Sequence, residues 1–221
     1  MSQHLSREIE NLKKKLLALG AKVEEAVQKA AQSIEQRDRD LAIKVIENDP
    51  DIDQSEIEVE EDCLKILALH QPVAIDLRFI VAVLKINNDL ERIGDLAVNI
   101  AERAVFLESQ PKVNISIELV DMAHSAQSML KKSIDALVNH DAKLAHKVCT
   151  SDDVVDDMNR QMYLKVQDAI VENPEQIKPL IHLLSASRHL ERIADHTTNI
   201  AEDVIYMIEG QIVRHKTEEY K

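Results

Sequence analysis

Apolar residues recur in alternating steps of four and three through the later part of each half of the chain. In the first half the series is Phe79, Val83, Ile86, Leu90, Ile93, Ala97, Ile100 and Ala104. In the second it is Leu183, Ala186, Leu190, Ile193, Thr197, Ile200 and Val204. This is the heptad spacing of a helix packed lengthwise in a bundle. Upstream, Leu5 to about Arg37 is one periodic segment, which Asp40 to Asn48 continues less regularly. Asp49-Pro50-Asp51 predicts a turn and a helix start, because proline suits a first helical turn and acids suit its dipole. A second helix is expected from about Asp51 to His70, broken by Gln71-Pro72, and a third from near Ala74 to about Leu107. The later half repeats the plan at about Ile115–Asn139, Asp153–Val171 and Glu175–Ile208. Short connections make neighbouring helices antiparallel.

The halves are copies. Leu90-Glu-Arg-Ile-Gly-Asp-Leu-Ala-Val-Asn-Ile-Ala-Glu102 and Leu190-Glu-Arg-Ile-Ala-Asp-His-Thr-Thr-Asn-Ile-Ala-Glu202 agree at nine of thirteen positions. Leu41-Ala-x-Lys-Val45 matches Leu144-Ala-x-Lys-Val148, and the same offset pairs Asp49 with Asp152 and Asp53 with Asp156. The predicted fold is therefore all-α: two tandem, internally repeated antiparallel three-helix bundles. The first unit is expected over 1–108, the second over 115–216, with a linker at 109–114.

Composition narrows the function. Of 221 residues only three are glycine and five proline, which argues against turn-rich sandwiches, barrels and doubly wound sheets. No two glycines lie near each other, so neither a phosphate loop nor a dinucleotide fingerprint is present. Aromatics are 2% of residues, too few for stacking platforms, and the formal charge of −13 repels nucleic acid and anionic lipid. Cys63 and Cys149 both fall inside helical patterns and read as apolar thiols of a reducing compartment. The longest apolar run, Phe79 to Leu84, is far short of a membrane span, and Met1–Glu10 lacks a signal-peptide core. The expectation is a cytoplasmic protein.

The repeated acids carry the candidate chemistry. Asn88, Glu91, Asp95, Asn99 and Glu102 share a narrow arc of their helix, away from the apolar seam, and are expected on its solvent side. Glu191, Asp195, Asn199 and Glu202 repeat that arc. The second helix of each half adds Asp49-x-x-x-Asp53 or Asp152-x-x-x-Asp156. Asp53 and Glu91 lie equally far in sequence from the turn at about residue 72. Asp156 lies as far before the turn at about 174 as residue 192 lies after it. Antiparallel helices rise equally, so four carboxylates are expected to meet in each groove. Like charges so clustered cost roughly 1 kcal/mol or more per close pair. A cation offsets that cost, and oxygen donors without thiolates favour hard ions such as Mg²⁺, Ca²⁺, Mn²⁺ or iron. The plain alternative is a solvated acidic surface screened by Arg92 and Arg192. His182, His189 and His196 recur every seven residues, nearer the seam than Glu191 and Asp195. Spaced about 10 Å apart along the axis, they point to packing or inter-domain contact rather than a shared ion.

At these residues the chain resembles the PhoU family of phosphate-uptake regulators. The duplicated Glu-Arg-Ile-(Gly/Ala)-Asp with its following Asn-Ile, the paired acidic motifs and Gln71-Pro72-x-Ala-x-Asp76-Leu-Arg78 carry the likeness. The second copy departs at the last of these, reading Glu175-Gln-Ile-Lys178. The resemblance implies two three-helix bundles that bind divalent or trivalent metal ions, with iron, manganese, magnesium and zinc as candidates. The first site would be Asp49, Asp53, Glu91 and Asp95, and the second Asp152, Asp156, Glu191 and Asp195. It also implies a dimeric, non-catalytic negative regulator, linking the ATPase subunit of a phosphate ABC transporter to the sensor histidine kinase of the phosphate regulon. A di-metal carboxylate enzyme or metal store ranks lower, since such bundles use Glu-x-x-His and none occurs here. A passive helical scaffold is the third alternative.

Overall fold

Asp38, not Asp49, starts the second helix. Its carboxylate accepts a hydrogen bond from the Leu41 amide at 2.9 Å, satisfying a free donor of the first turn. Arg37 precedes it with φ 54°, and the Asp38 amide donates back to the Ser33 carbonyl at 3.0 Å. The second copy builds the same turn: His140 has φ 52°, the Asp141 amide reaches Ala136, and the Asp141 carboxylate caps Leu144 at 3.0 Å. The predicted turn at Asp49-Pro50-Asp51 is absent, because helix continues through Pro50. Proline there deprives the Ile46 carbonyl of its usual donor. Burial of Val45, Ile52 and Val59 on both sides of it holds the helix together.

The computed structural model describes residues 3–113, 115 and 118–210. They form α1 (Gln3–Gln36), α2 (Arg39–His70), α3 (Ala74–Glu108), α4 (Leu119–Asn139), α5 (Ala142–Glu172) and α6 (Ile177–Glu209), with a 3-10 turn at Pro174–Gln176 before α6. No strand occurs among the described residues. Residues 40–48 thus belong to α2, α4 begins later than Ile115, and α5 begins eleven residues before Asp153. Residues 1–2 of the expected first unit, Asn114 of the expected linker, and 116–117 and 211–216 of the expected second unit lie outside the described residues.

Within each half the three helices pack on one another, and the halves join where α1 meets α4 and α3 meets α6. Every residue of both heptad seams is buried, and the apolar interior is one continuous cluster running through both lobes. Two close approaches set the spacing. A Cβ on Gly20 of α1 would collide with Ile134 Cδ1 of α4, and one on Gly94 of α3 would stand 3.2 Å from Ile52 Cγ2 of α2. Gly94 therefore brings α2 and α3 together at the level of the acidic residues. Arg37 ties the α1–α2 turn to the far end of α3 by donating to the Glu108 carbonyl at 2.7 Å.

Candidate metal centres in the two grooves

In the first lobe α2 supplies Asp49 and Asp53 one turn apart, and α3 supplies Glu91 and Asp95 one turn apart. Asp49 Oδ1 lies 3.7 Å from the Cβ position of Gly94, so the carboxylate sits where the helices approach most closely. Burial raises Asp49 above the ordinary carboxylate range, and the charges of Asp53 and Asp95 raise it further. Glu91 is raised by burial, then by Asp95, with smaller contributions from Asp53 and Glu56, while Arg92 opposes them. Asp49 and Glu91 thus each feel a neighbour on their own helix and one across the groove. Asp49, Glu91 and Asp95 are half-buried, not on the open solvent side that the helical arc suggested. They are half-buried because α2 lies against this arc of α3. Arg92 gives part of the compensation: it stands 3.4 Å from Glu91 Oε2 and 3.2 Å from Asp95 Oδ2.

The second lobe repeats the arrangement, with Asp152, Asp156 and Glu191 half-buried and Asp195 exposed. Burial is the largest cause that lifts Asp152, and Asp156, Asp195, Glu191 and Asp153 add to it, pushing the carboxyl to about 7. Glu191 is raised by burial, Asp195 and Asp156, and lowered by Arg188 and Arg192. Asp195 is raised by burial and Asp156, and lowered by His196 and Arg192. All four acids of this quartet therefore act on one another across the groove. Asp152 Oδ1 is buried with no hydrogen-bond partner, whereas the buried Glu91 Oε2 of the first lobe has only its 3.4 Å ion pair with Arg92. Buried carboxylate oxygens without donors are costly, and a hard cation is the chemistry that satisfies them. Among the described residues no three His, Cys, Asp or Glu side chains stand close enough to form a ready-made coordination shell.

Sequence reasoning missed the polar clamps one turn from each quartet. Asn87 Nδ2 of α3 donates to the Glu56 side chain at 2.8 Å and to its carbonyl at 2.9 Å. At the equivalent positions Ser187 Oγ of α6 donates to Asn159 Oδ1 of α5 at 2.7 Å. Aligning the repeats residue by residue pairs 56 with 159 and 87 with 187, which was the available signal. The histidine stripe serves the contact between lobes. His182 stacks on Phe106 of α3 at 3.7 Å between ring centroids, and His196 Nδ1 lies 2.8 Å from Asp89 Oδ1. Lys85 of α3 reaches the buried Asp203 of α6 at 3.0 Å, and Arg78 donates to the Met207 carbonyl at 3.2 Å.

Comparison with known proteins bears on this twofold architecture. The family model described as the PhoU domain matches twice, over residues 16–104 and 119–204. The chain belongs to the PhoU family. It is 39% identical over 212 residues to the phosphate-specific transport system accessory protein PhoU homolog of Aquifex aeolicus, covering 96% of each chain. It is 38% identical over 216 residues to the homolog of Pseudomonas aeruginosa, covering 97% of this chain and 89% of that one. The crystal structure of PhoU from Pseudomonas aeruginosa superposes with a TM-score of 0.90 at 37% identity, covering 93% of this chain and 99% of that one. The phosphate transport system regulatory protein PhoU from Streptococcus pneumoniae superposes at 0.84 with 30% identity, over 95% of this chain and 99% of that one. The PhoU fold and its duplicated domain are therefore those of this chain. Among its described residues no helix is long and apolar enough to cross a membrane.

Proposed function

We propose that this chain is a cytoplasmic negative regulator of phosphate uptake and phosphate-regulon signalling, working as a homodimeric, metal-binding adaptor. Its partners in this reading are the ATPase subunit of the phosphate ABC transporter and the sensor histidine kinase, and it acts by contact rather than catalysis. The observation that carries the metal site is the pair of facing acidic quartets, the second of which holds a buried carboxylate oxygen, Asp152 Oδ1, with no hydrogen-bond partner. Relatives named as accessory proteins of phosphate-specific transport support the regulatory half.

Asp49, Asp53, Glu91 and Asp95 would hold one centre, and Asp152, Asp156, Glu191 and Asp195 the other. A bound cation supplies the positive charge that each quartet lacks and joins α2 to α3, or α5 to α6. Only a differential affinity for two states of a partner shifts that partner's equilibrium, so the adaptor must distinguish transporter or kinase states. The test begins with the purified chain after chelation. Native-state binding of Mn²⁺, Fe²⁺ or Mg²⁺ must raise the melting temperature. Glu91→Ala with Asp95→Ala, and Glu191→Ala with Asp195→Ala, should each lower the metal content. Together they should weaken capture of the ATPase subunit or the kinase. An unshifted melting temperature at millimolar metal, or unchanged metal content in both double variants, returns the chain to a passive scaffold.

A further inference from the structure

The duplication keeps the quartets and inverts the surface beside them. On α2, Ile57, Glu60, Glu61 and Leu64 follow the i, i+3, i+4, i+7 spacing of one helix face, and all four are exposed. Ile57 is 45% and Leu64 53% exposed, so this face presents two apolar side chains with two acids between them. The corresponding positions of α5 are Arg160, Tyr163, Leu164 and Gln167, all exposed. There the two acids have become Tyr and Leu, Ile57 has become a cation, and Leu64 has become a neutral amide. Opposite them, α6 places Arg188 where α3 has Asn88. Arg160, Tyr163, Leu164, Ile181, Leu184 and Arg188 line much of an open groove of about 880 Å³ between α5 and α6, whose far end reaches Asp156, Glu191 and Asp195. Arg160 touches Asp157 at 2.9 Å, but both side chains are widely exposed, so that pair yields readily to another carboxylate.

We infer that the groove between α5 and α6 receives the Ile57–Leu64 face of α2 from a second copy of this chain. Ile57 and Leu64 meet the apolar side chains of the groove, and Glu60 and Glu61 meet Arg160 and Arg188. An amphipathic helix laid in a groove through anchors at these spacings is a recurrent recognition mode. Each copy carries one face and one groove, and a two-fold axis that seats both at once closes a dimer through two identical contacts. The inference rests on the homodimer reading above and assigns its surfaces. It also sets the second quartet beside the interface, since the groove ends on Asp156, Glu191 and Asp195.

Charge exchange tests the assignment on the full chain, with mass measured by light scattering or sedimentation. The unchanged chain is expected at twice its own mass. Arg160→Glu with Arg188→Glu, or Glu60→Arg with Glu61→Arg, should each weaken self-association about 100-fold or more, since like charges across an interface cost several kcal/mol. All four positions are exposed, and unchanged circular dichroism and melting temperature verify that each variant folds. Mixing the two variants should restore the dimer, because every contact in the mixed pair is complementary. A monomeric unchanged chain removes the dimer reading and this assignment together. A dimer that survives both reversals, or variants that stay monomeric when mixed, removes the assignment alone and leaves the groove to another protein.

Discussion

The two grooves share their acids and the arginine beside them, Arg92 or Arg192, and differ in much of what else tempers the charge. Around the first quartet stand Arg92, in contact with Glu91 and Asp95, and the Glu56–Asn87 clamp. Around the second, an Asn159–Ser187 clamp replaces a charged partner by neutral ones, and no ion pair to Asp152, Asp156, Glu191 or Asp195 occurs among the described residues. The second quartet is accordingly the more strained electrostatically, with Asp152 pushed to about 7. Duplication preserved the core seam and the carboxylates while the surroundings diverged. One lobe is left with more of its negative charge unanswered. That difference predicts unequal affinities for a cation, the second groove gaining more from one than the first.

The largest effects should fall where the lobes are most alike. Leu90 and Leu190 are equivalent seam residues, and each is completely buried. Leu90→Ala and Leu190→Ala should each destabilise by about 2–5 kcal/mol, the range for opening a cavity under a leucine. Because the apolar interior runs unbroken through both lobes, each variant should still unfold in a single transition by urea or heat. Two resolved transitions, with only one shifted by each substitution, would make the lobes independent folding units.

Next in size is the electrostatic contrast between Asp152 and Asp49. The folded chain holds a proton on Asp152 up to about pH 7, whereas the unfolded chain releases it near about pH 4. Across that window the metal-free protein therefore loses stability as pH rises, and above it the full penalty stands. Asp152→Asn removes the charge. It should stabilise the chelated protein at pH 8 by on the order of 1–2 kcal/mol, after discounting for solvent screening. Asp49→Asn should gain less, and Mn²⁺ should no longer raise the melting temperature through the altered groove. His189 acts in the opposite sense. Burial, then Arg103, Arg192 and Arg188, lower it to about 4, so its contribution is lost as pH falls from about 6.5 toward 4. Asp152→Asn should unmask this acid loss, read from urea midpoints at successive pH values. A flat profile for both the unchanged chain and the variant would deny either group its role.

The seams and the acids were legible in sequence because each rests on periodicity, and helical geometry turns spacing directly into position. Phe79 through Ala104 recur with the bundle's period, and all are buried. Asp53 and Glu91 were placed level by counting from a shared turn, and the structure brings them within mutual electrostatic influence. The turns at Arg37 and His140 were not legible. A left-handed residue at a helix end is usually glycine or asparagine, and here it is neither. Pro50 drew the expected boundary to itself because proline more often opens a helix than sits inside one. The half-burial of the acids also escaped notice. It depends on how closely α2 approaches α3, which Gly94 permits and which no periodicity within one helix reveals.

The smallest expected effect concerns the seam between lobes, where two histidines seven residues apart on α6 have different surroundings. His189 lies under the influence of Arg103, Arg192 and Arg188, while His196 faces Asp89. An ionised carboxylate can only accept, so His196 donates through Nδ1. At the position equivalent to His196, α3 carries the buried Leu96. His196→Leu thus writes the first lobe's chemistry into the second, and the apolar side chain suits a buried site. Its cost is the donor removed from Asp89, whose side chain is only 16% exposed. The loss should be about 1 kcal/mol, and combining it with Asp89→Ala should recover most of it, because a carboxylate no longer remains without its partner. A double-mutant cycle on urea midpoints measures that coupling directly. Strict additivity would mean that the His196–Asp89 pair adds nothing to the contact between the lobes.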